Sequence, residues 1–129
     1  MSKSSLEKTL RAIGLQFEDT GDYFKGVFAL EDGRTQMFLI DYAADDFMGH
    51  QEYDFMSFVG PADDASAVKA ACEMAGKSKR GGIVIVLGLI CLKYEVGVDW
   101  DAEVIAANLL ALSINADAME EAIVGGDAL

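Results

Sequence analysis

Asp41, Asp45, Asp46 and Asp54 gather around His50, the only histidine in the chain. An imidazole oriented by a carboxylate can support nucleophilic chemistry, and hard cations take oxygen ligands that a histidine can complete. The spacing is not that of an EF-hand loop, and acidic loop residues are ordinarily just solvated. A small acidic metal-dependent domain or enzyme using the Asp41 to His50 loop is therefore the alternative reading of this chain. A second acidic group, Asp99-Trp100-Asp101 with Glu103, puts three carboxylates beside the only tryptophan. Such a set could serve acid–base work, but the same residues suit the start of a helix, with Asp99 or Asp101 as cap and Trp100 as a staple onto the core.

Other reactive groups point away from catalysis. Cys72 and Cys91 lie in apolar segments without a CxxC spacing, so both are expected as buried thiols in a reducing compartment. Lys77, Lys79 and Arg80 form the one dense basic patch, placed where cations favour a helix C-terminus. GxGxxG, P-loop, GxSxG, HExxH and zinc-ligand patterns are absent, and Gly81-Gly82 opens a strand rather than leading into a phosphate-binding helix. We assign no catalytic residue, no metal and no cofactor from the sequence.

Composition bounds the rest. With 129 residues, 52% of them apolar and a single proline, the chain can bury enough surface to fold as one domain spanning 1–129. A net charge of −12 opposes nucleic-acid binding, which depends on neutralising phosphates with Lys and Arg. The uncharged apolar run 81–92 is short of the roughly 18–20 residues that cross a bilayer, and no basic, apolar leader precedes Leu6. The expectation is a cytoplasmic protein with no membrane and no nucleic-acid partner.

The elements that must position these groups follow from periodicity. Leu6, Leu10 and Ile13 share one stripe of a short helix that Gly14 ends. Strand-like runs cover 15–18, 23–30 and 35–42, with Asp32-Gly33 favouring a tight hairpin between the last two. Residues 43–52 lack a period and are read as a loop before a strand over 53–59. Asp63-Asp64-Ala65-Ser66 caps a helix to about 77 whose inner stripe is Val68, Ala71, Cys72 and Ala75. The last helix spans about 102–124 and is apolar nearly all round its first half, through Val104, Ile105, Leu109, Leu110, Leu112 and Ile114.

Between these helices lies the most informative stretch, 81–98. It is rich in β-branched residues, and its apolar side chains fall on both faces of a strand, so it calls for cover on two sides. Gly88 allows a hairpin joining 82–86 to 90–98, with Leu87-Gly88-Leu89 as an apolar tip that is itself expected to be covered. The order is α-β-β-β-β-α-β-β-α, an α+β fold with an antiparallel sheet packed by helices.

That order resembles the YbjN-type family of bacterial sensory-transduction regulators, whose members share the type III secretion chaperone-like fold. The features that carry the resemblance are Leu6-Glu7-Lys8-Thr9-Leu10, the strands between Tyr23 and Val59, the helix after Pro61-Ala62-Asp63-Asp64, the hairpin ending Leu92-Lys93-Tyr94-Glu95-Val96, and the helix after Asp99-Trp100-Asp101. The apolar hairpin turn departs from the polar one usual in that family, and the second helix lacks an asparagine-rich ending. The resemblance implies a small, acidic, dimeric protein, and the secretion chaperones of this fold bind extended client segments without catalysing a reaction. The resulting expectation is a non-enzymatic, chaperone-like or regulatory homodimer that binds another protein. Ile83, Ile85, Val86, Leu87, Leu89, Ile90 and Leu92 are expected to supply the core and the self-association or partner face, with Leu109 and Leu112 behind them, and Phe47 and Met48 from the polar loop are expected on that face too.

Overall fold

The computed structural model describes residues 3–47, 50–78 and 80–124, with the backbone alone at 32, 44–47, 50 and 124. Helix α1 (Lys3–Ala12) leads into β1 (Gln16–Asp19), β2 (Tyr23–Ala29), β3 (Thr35–Phe47) and β4 (His50–Pro61). Helix α2 (Ala65–Gly76), the hairpin β5 (Gly82–Val86) and β6 (Leu89–Gly97), and the long α3 (Ala102–Val124) complete the chain. All pairings are antiparallel, in one six-stranded sheet of order β1-β2-β3-β4-β6-β5. The α+β class and element order are those read from the sequence.

Local chemistry sets the element ends. Asp64 accepts from the backbone N–H of Ser66 at 3.0 Å and of Ala67 at 3.3 Å, satisfying the free donors of α2, a cap worth about 1 kcal/mol. Helix α1 closes through Gly14 at φ +82°, with Leu15 N–H donating to Leu10 O and Gly14 N–H to Arg11 O, the two bonds that a left-handed C-terminal glycine permits. Ile13 falls beyond that stop and is exposed, so only Leu6 and Leu10 of its expected stripe are buried.

Three turns differ from expectation in instructive ways. The Asp32-Gly33 reversal is a three-residue loop over Glu31–Gly33, not a tight two-residue turn; Gly33 alone takes positive φ, and Leu30 N–H donates to Arg34 O across its base. Of the segment read as a loop, 43–47 and 50–52 are strand: β3 and β4 extend past an irregularity between Asp41 and Asp45, pairing Asp45 with Glu52, Asp46 with Gln51 and Phe47 with His50. Backbone hydrogen bonds carry that arm, so the apolar alternation that announces a strand is missing from it. The β5–β6 hairpin forms as expected, its two-residue turn made by Leu87 and Gly88, both at positive φ.

Side chains of one strand parity, including Phe24, Phe38, Ile40, Tyr53, Phe55, Ile90, Leu92, Tyr94 and Val96, join Leu6 and Leu10 of α1, Ala67 and Ala71 of α2, and Ile105, Leu109, Leu112 and Ala116 of α3 in one core. The three helices thus share one face of the sheet. On α2 the buried positions are Ala67 and Ala71, and Cys72 is exposed, because the helix is rotated by about one residue from the expected stripe. The small alanines let α2 lie close to the sheet.

An ion-pair cluster fastens α1 to the sheet. Lys3 Nζ lies 2.6 Å from Asp19 and 4.3 Å from the Tyr42 ring centroid, while Asp19 also accepts from Tyr42 Oη at 2.7 Å and Gly21 N–H at 2.9 Å. The hydrogen bond from Lys3, then those from Tyr42 and Gly21, hold the Asp19 carboxyl down to about 2. A carboxylate with a depressed folded pKa stabilises above its unfolded value near 3.8 and loses that contribution as pH falls toward 2. Asp19→Asn should therefore lower the melting temperature at pH 7, and the gap to the parent should close between about pH 4 and 2 in a thermal-melt series; a gap that stays constant through that window would remove Asp19 as its cause.

Candidate partner-binding face

Residues of the opposite parity form a second cluster. Leu39, Met56 and Cys91 are its buried centre, and Tyr23, Val84, Val86 and Leu89 pack around them; no helix residue joins it. Leu39 lies opposite Met56, Cys91 opposite both Phe58 and Val84, and Val86 opposite Leu89. Among the described residues, one face of the sheet lies under three helices and the other carries an apolar patch built from strands alone. A one-layer apolar patch on an antiparallel sheet departs from the usual pattern of a polar, wet second face.

Charge frames the patch. Asp41 and Asp54 face each other across β3 and β4, Asp54 faces Glu95 across β4 and β6, and Lys93 sits 4.0 Å from Asp54 and 3.5 Å from Glu95. Lys25, opposite Leu39, marks the other flank. At the far end the patch runs into the β5–β6 turn, where Leu87 is 77% exposed; Ile85, 58% exposed, lies opposite Ile90 and so belongs to the helix side of the sheet. The expected covering of the tip is not supplied by this chain.

The sequence-selected residues divide among three environments. Leu89 and Val86 belong to the open-face cluster, together with Val84, which the sequence did not single out. Leu87 forms the tip, and Ile85 projects beside it from an edge strand. Ile90 and Leu92 are corrected: both are buried against the helices in the main core, and Ile83 packs on that core half-buried, so none of the three faces a partner. Alternation along β5 and β6 explains the split, since a strand apolar on both sides sends every second residue inward. Phe47 lies in β3, with its side chain outside the described residues, as is Met48 altogether.

The rival acidic site comes together only in part. Asp41 and Asp54 are neighbours in register, and Asp41 accepts from Ala43 N–H at 3.0 Å. The side chains of Asp45, Asp46 and His50 lie outside the described residues, and among the described ones no three His, Cys, Asp or Glu groups converge as ligands. Asp101 precedes α3 and its carbonyl accepts from Ile105 N–H. Trp100 lies over Gly97, where an added Cβ would come within 2.4 Å of the indole Nε1. Arg80 stacks on Tyr94 at 4.6 Å and donates to Asn108 Oδ1 and Glu95 O. Arg80 thus ties the α2–β5 connection to β6 and α3 rather than serving only the end of α2.

Sequence reading missed the polar groups on the inner face of α3: Asn108, Ser113, Asp117 and Glu120 are buried. Arg34 reaches Asp117 and lies 2.8 Å from Glu121, pinning the β2–β3 loop to α3. The signal was present, because Asp117 and Glu120 flank Ala116 and Met119 on the stripe that begins at Ile105 and Leu109. The outer face of α3 is in turn apolar, with Val104, Leu110 and Ile114 exposed. By length and composition Ala102–Ile123 could cross a membrane, and 39% of its apolar window is buried inside the fold.

The thiols report on the patch directly. Burial pushes the Cys91 thiol up to about 11, which suppresses the thiolate that reacts, whereas Cys72 is exposed on α2. A disulfide exchange reagent at pH 8 should modify one thiol, Cys72, promptly and the other only in denaturant. Equal rates for both would mean that the second cluster is open to solvent. No family model, curated protein or solved structure matches this chain.

Proposed function

We propose that this chain is a non-enzymatic protein-binding domain that acts as a cytoplasmic homodimer and receives a second protein in a chaperone-like or regulatory role, in the manner of the YbjN-type, type III secretion chaperone-like proteins. The single observation that carries the reading is the apolar cluster of Leu39, Met56, Cys91, Val84, Val86 and Leu89 on the helix-free face, continuous with the exposed Leu87 tip. Leu39, Met56 and Cys91 are already buried within the protomer, so association gains its energy from the half-buried Val84, Val86 and Leu89 and from the exposed Leu87; fully covering an exposed side chain of this size contributes roughly 1.5–3 kcal/mol and a half-buried one part of that, against about 0–1 kcal/mol for a surface ion pair.

Electrostatics shapes how this contact must work. Two copies bring together −12 each, so their long-range interaction is repulsive and the contact has to be apolar at its centre. Salt screens the repulsion while leaving the apolar term intact. Light scattering over a wide concentration range should give a dimer mass, with a dissociation constant that falls as salt is raised from about 0.02 to 0.3 M. A monomer at every concentration and both salt levels would sink the proposal of self-association, and the face would then need a different protein to cover it.

A further inference from the structure

We propose that the outer edge of β5 takes an extended segment of a different protein as a seventh, antiparallel strand, one that carries cationic residues before its apolar run and anionic residues after it. This rests on the protein-binding reading above and names the form of the bound partner. The sheet has two edges, and they differ. Edge strand β1 is four residues long and carries Glu18 and Asp19, charges of the kind that keep an edge from pairing. Edge strand β5, Gly82-Ile83-Val84-Ile85-Val86, has no charge, no proline and no break in its register against β6. An edge of that kind is a template for another strand.

Turn geometry sets which backbone groups point outward. Val86 and Leu89 flank a two-residue turn and so exchange both backbone hydrogen bonds, as do Val84 with Cys91 and Gly82 with Lys93 by alternation. The N–H and C=O groups of Ile83 and Ile85 are therefore directed away from β6, and among the described residues nothing hydrogen-bonds to them. Ile85 is exposed and the rest of β5 only half-buried, so the edge is open to an incoming chain.

The two ends of this edge carry opposite charge. Past Gly82 it is closed by the exposed Arg80, which donates to Glu95 O on β6. At the other end Ala62 N–H donates to Gly88 O, which sets the exposed Asp63 beside the turn. An antiparallel strand, continuing the pattern of the sheet, passes Asp63 with its N-terminal side and Arg80 with its C-terminal side. Cations before the apolar run and anions after it complement both ends, and a parallel strand would need the reverse. A second copy fits this edge poorly. Helix α2 packs over β5, so two copies joined edge to edge would hold their α2 helices over strands about 4.8 Å apart, where packed helices need about 8–10 Å. A bare segment brings no helix with it.

The test is binding of a dye-labelled, amidated peptide, two lysines followed by Val-Thr-Val-Thr-Val and two glutamates, to the full chain at about pH 7 and ~0.05 M salt, where flanking charges are still felt. Fluorescence anisotropy should give a Kd of about 0.1 mM or tighter. By NMR, the Ile83 and Ile85 amides should exchange faster than those of Val84 and Val86 in the free protein and slow at saturation. A peptide with its lysines and glutamates interchanged has the same net charge and should bind about fivefold more weakly or worse, and Asp63→Lys should reverse that order. Ile85→Pro removes an N–H that faces outward, spares the β5–β6 pairing, and should abolish binding; if that variant unfolds, amide exchange in the parent decides. Equal binding of the two peptides, or no saturable binding, would overturn the proposal. So would Ile83 and Ile85 amides already protected in a dimeric parent, together with a monomeric Ile85→Pro, because the occupant is then a second copy. A parent that stays dimeric and ignores the peptide sinks this inference alone, whereas a monomer that binds it sinks self-association alone.

Discussion

Replacing Leu87 with asparagine is expected to raise the stability of the isolated protomer by about 1 kcal/mol and to weaken its self-association by about tenfold or more. The two signs are opposite because Leu87 is badly placed for the monomer. It sits at φ +55°, ahead of Gly88 at φ +76°, in a two-residue hairpin turn where both positions demand the left-handed region. A leucine there carries a steric cost that asparagine largely escapes, and at 77% exposure its side chain recovers almost nothing from packing within the chain. Chemical denaturation at low protein concentration reads the first effect, and sedimentation across a dilution series reads the second. Leu89→Glu provides the stronger perturbation: a charge placed in the open-face cluster should cost the dimer on the order of 100-fold while the helix-covered core, which Leu89 does not enter, stays folded. If Leu87→Asn stabilises the protomer and leaves association unchanged, the tip lies outside the interface; if Leu89→Glu also stays dimeric, the whole open face does.

How much of this was legible in the sequence depends on which force shaped each segment. Where burial dominates, the reading was close: the alternation of Phe38 and Ile40, or of Ile90, Leu92 and Tyr94, identifies a core-facing parity, and the helix expected over about 102–124 is α3. Where backbone hydrogen bonding dominates, it failed, as at 43–47 and 50–52, whose strands pair without an apolar pattern. The two-sided character of 81–98 was visible because every residue of a strand must face one side or the other. Which residues face the helices was not, since a shift of one position exchanges the two sets, and so Ile90 and Leu92 were placed on the partner face along with Leu89. That Gln36 is buried needed the fold, because a polar residue at the core parity of β3, next to Phe38 and Ile40, does not announce its own burial.

The Arg34 contact with α3 carries the second large effect. Arg34→Ala should lower folding stability by about 3 kcal/mol, read from urea denaturation with the slope unchanged. The side chain of Asp117 is only 7% exposed, and it takes its charge-assisted hydrogen bond from the Arg34 guanidinium, which also reaches Glu121. Removing the cation leaves the buried carboxylate to face a medium that solvates it poorly, so the loss reflects desolvation more than the intrinsic worth of the pair. That account makes a further demand. The double variant Arg34→Met with Asp117→Leu removes both charges and keeps the volume, and it should recover most of the loss, to within about 1 kcal/mol of the parent. If the double variant is instead as unstable as the sum of the two single ones, the pair is not coupled and the contribution of Arg34 lies in holding the 31–34 loop. Recovery would mean that the pair adds little net stability over apolar residues of equal volume, so that any further contribution it makes lies in selecting the register of α3 over β3 and β4. The open face depends on that register, since α3 is what keeps the apolar parity of β3 and β4 occupied on the opposite side.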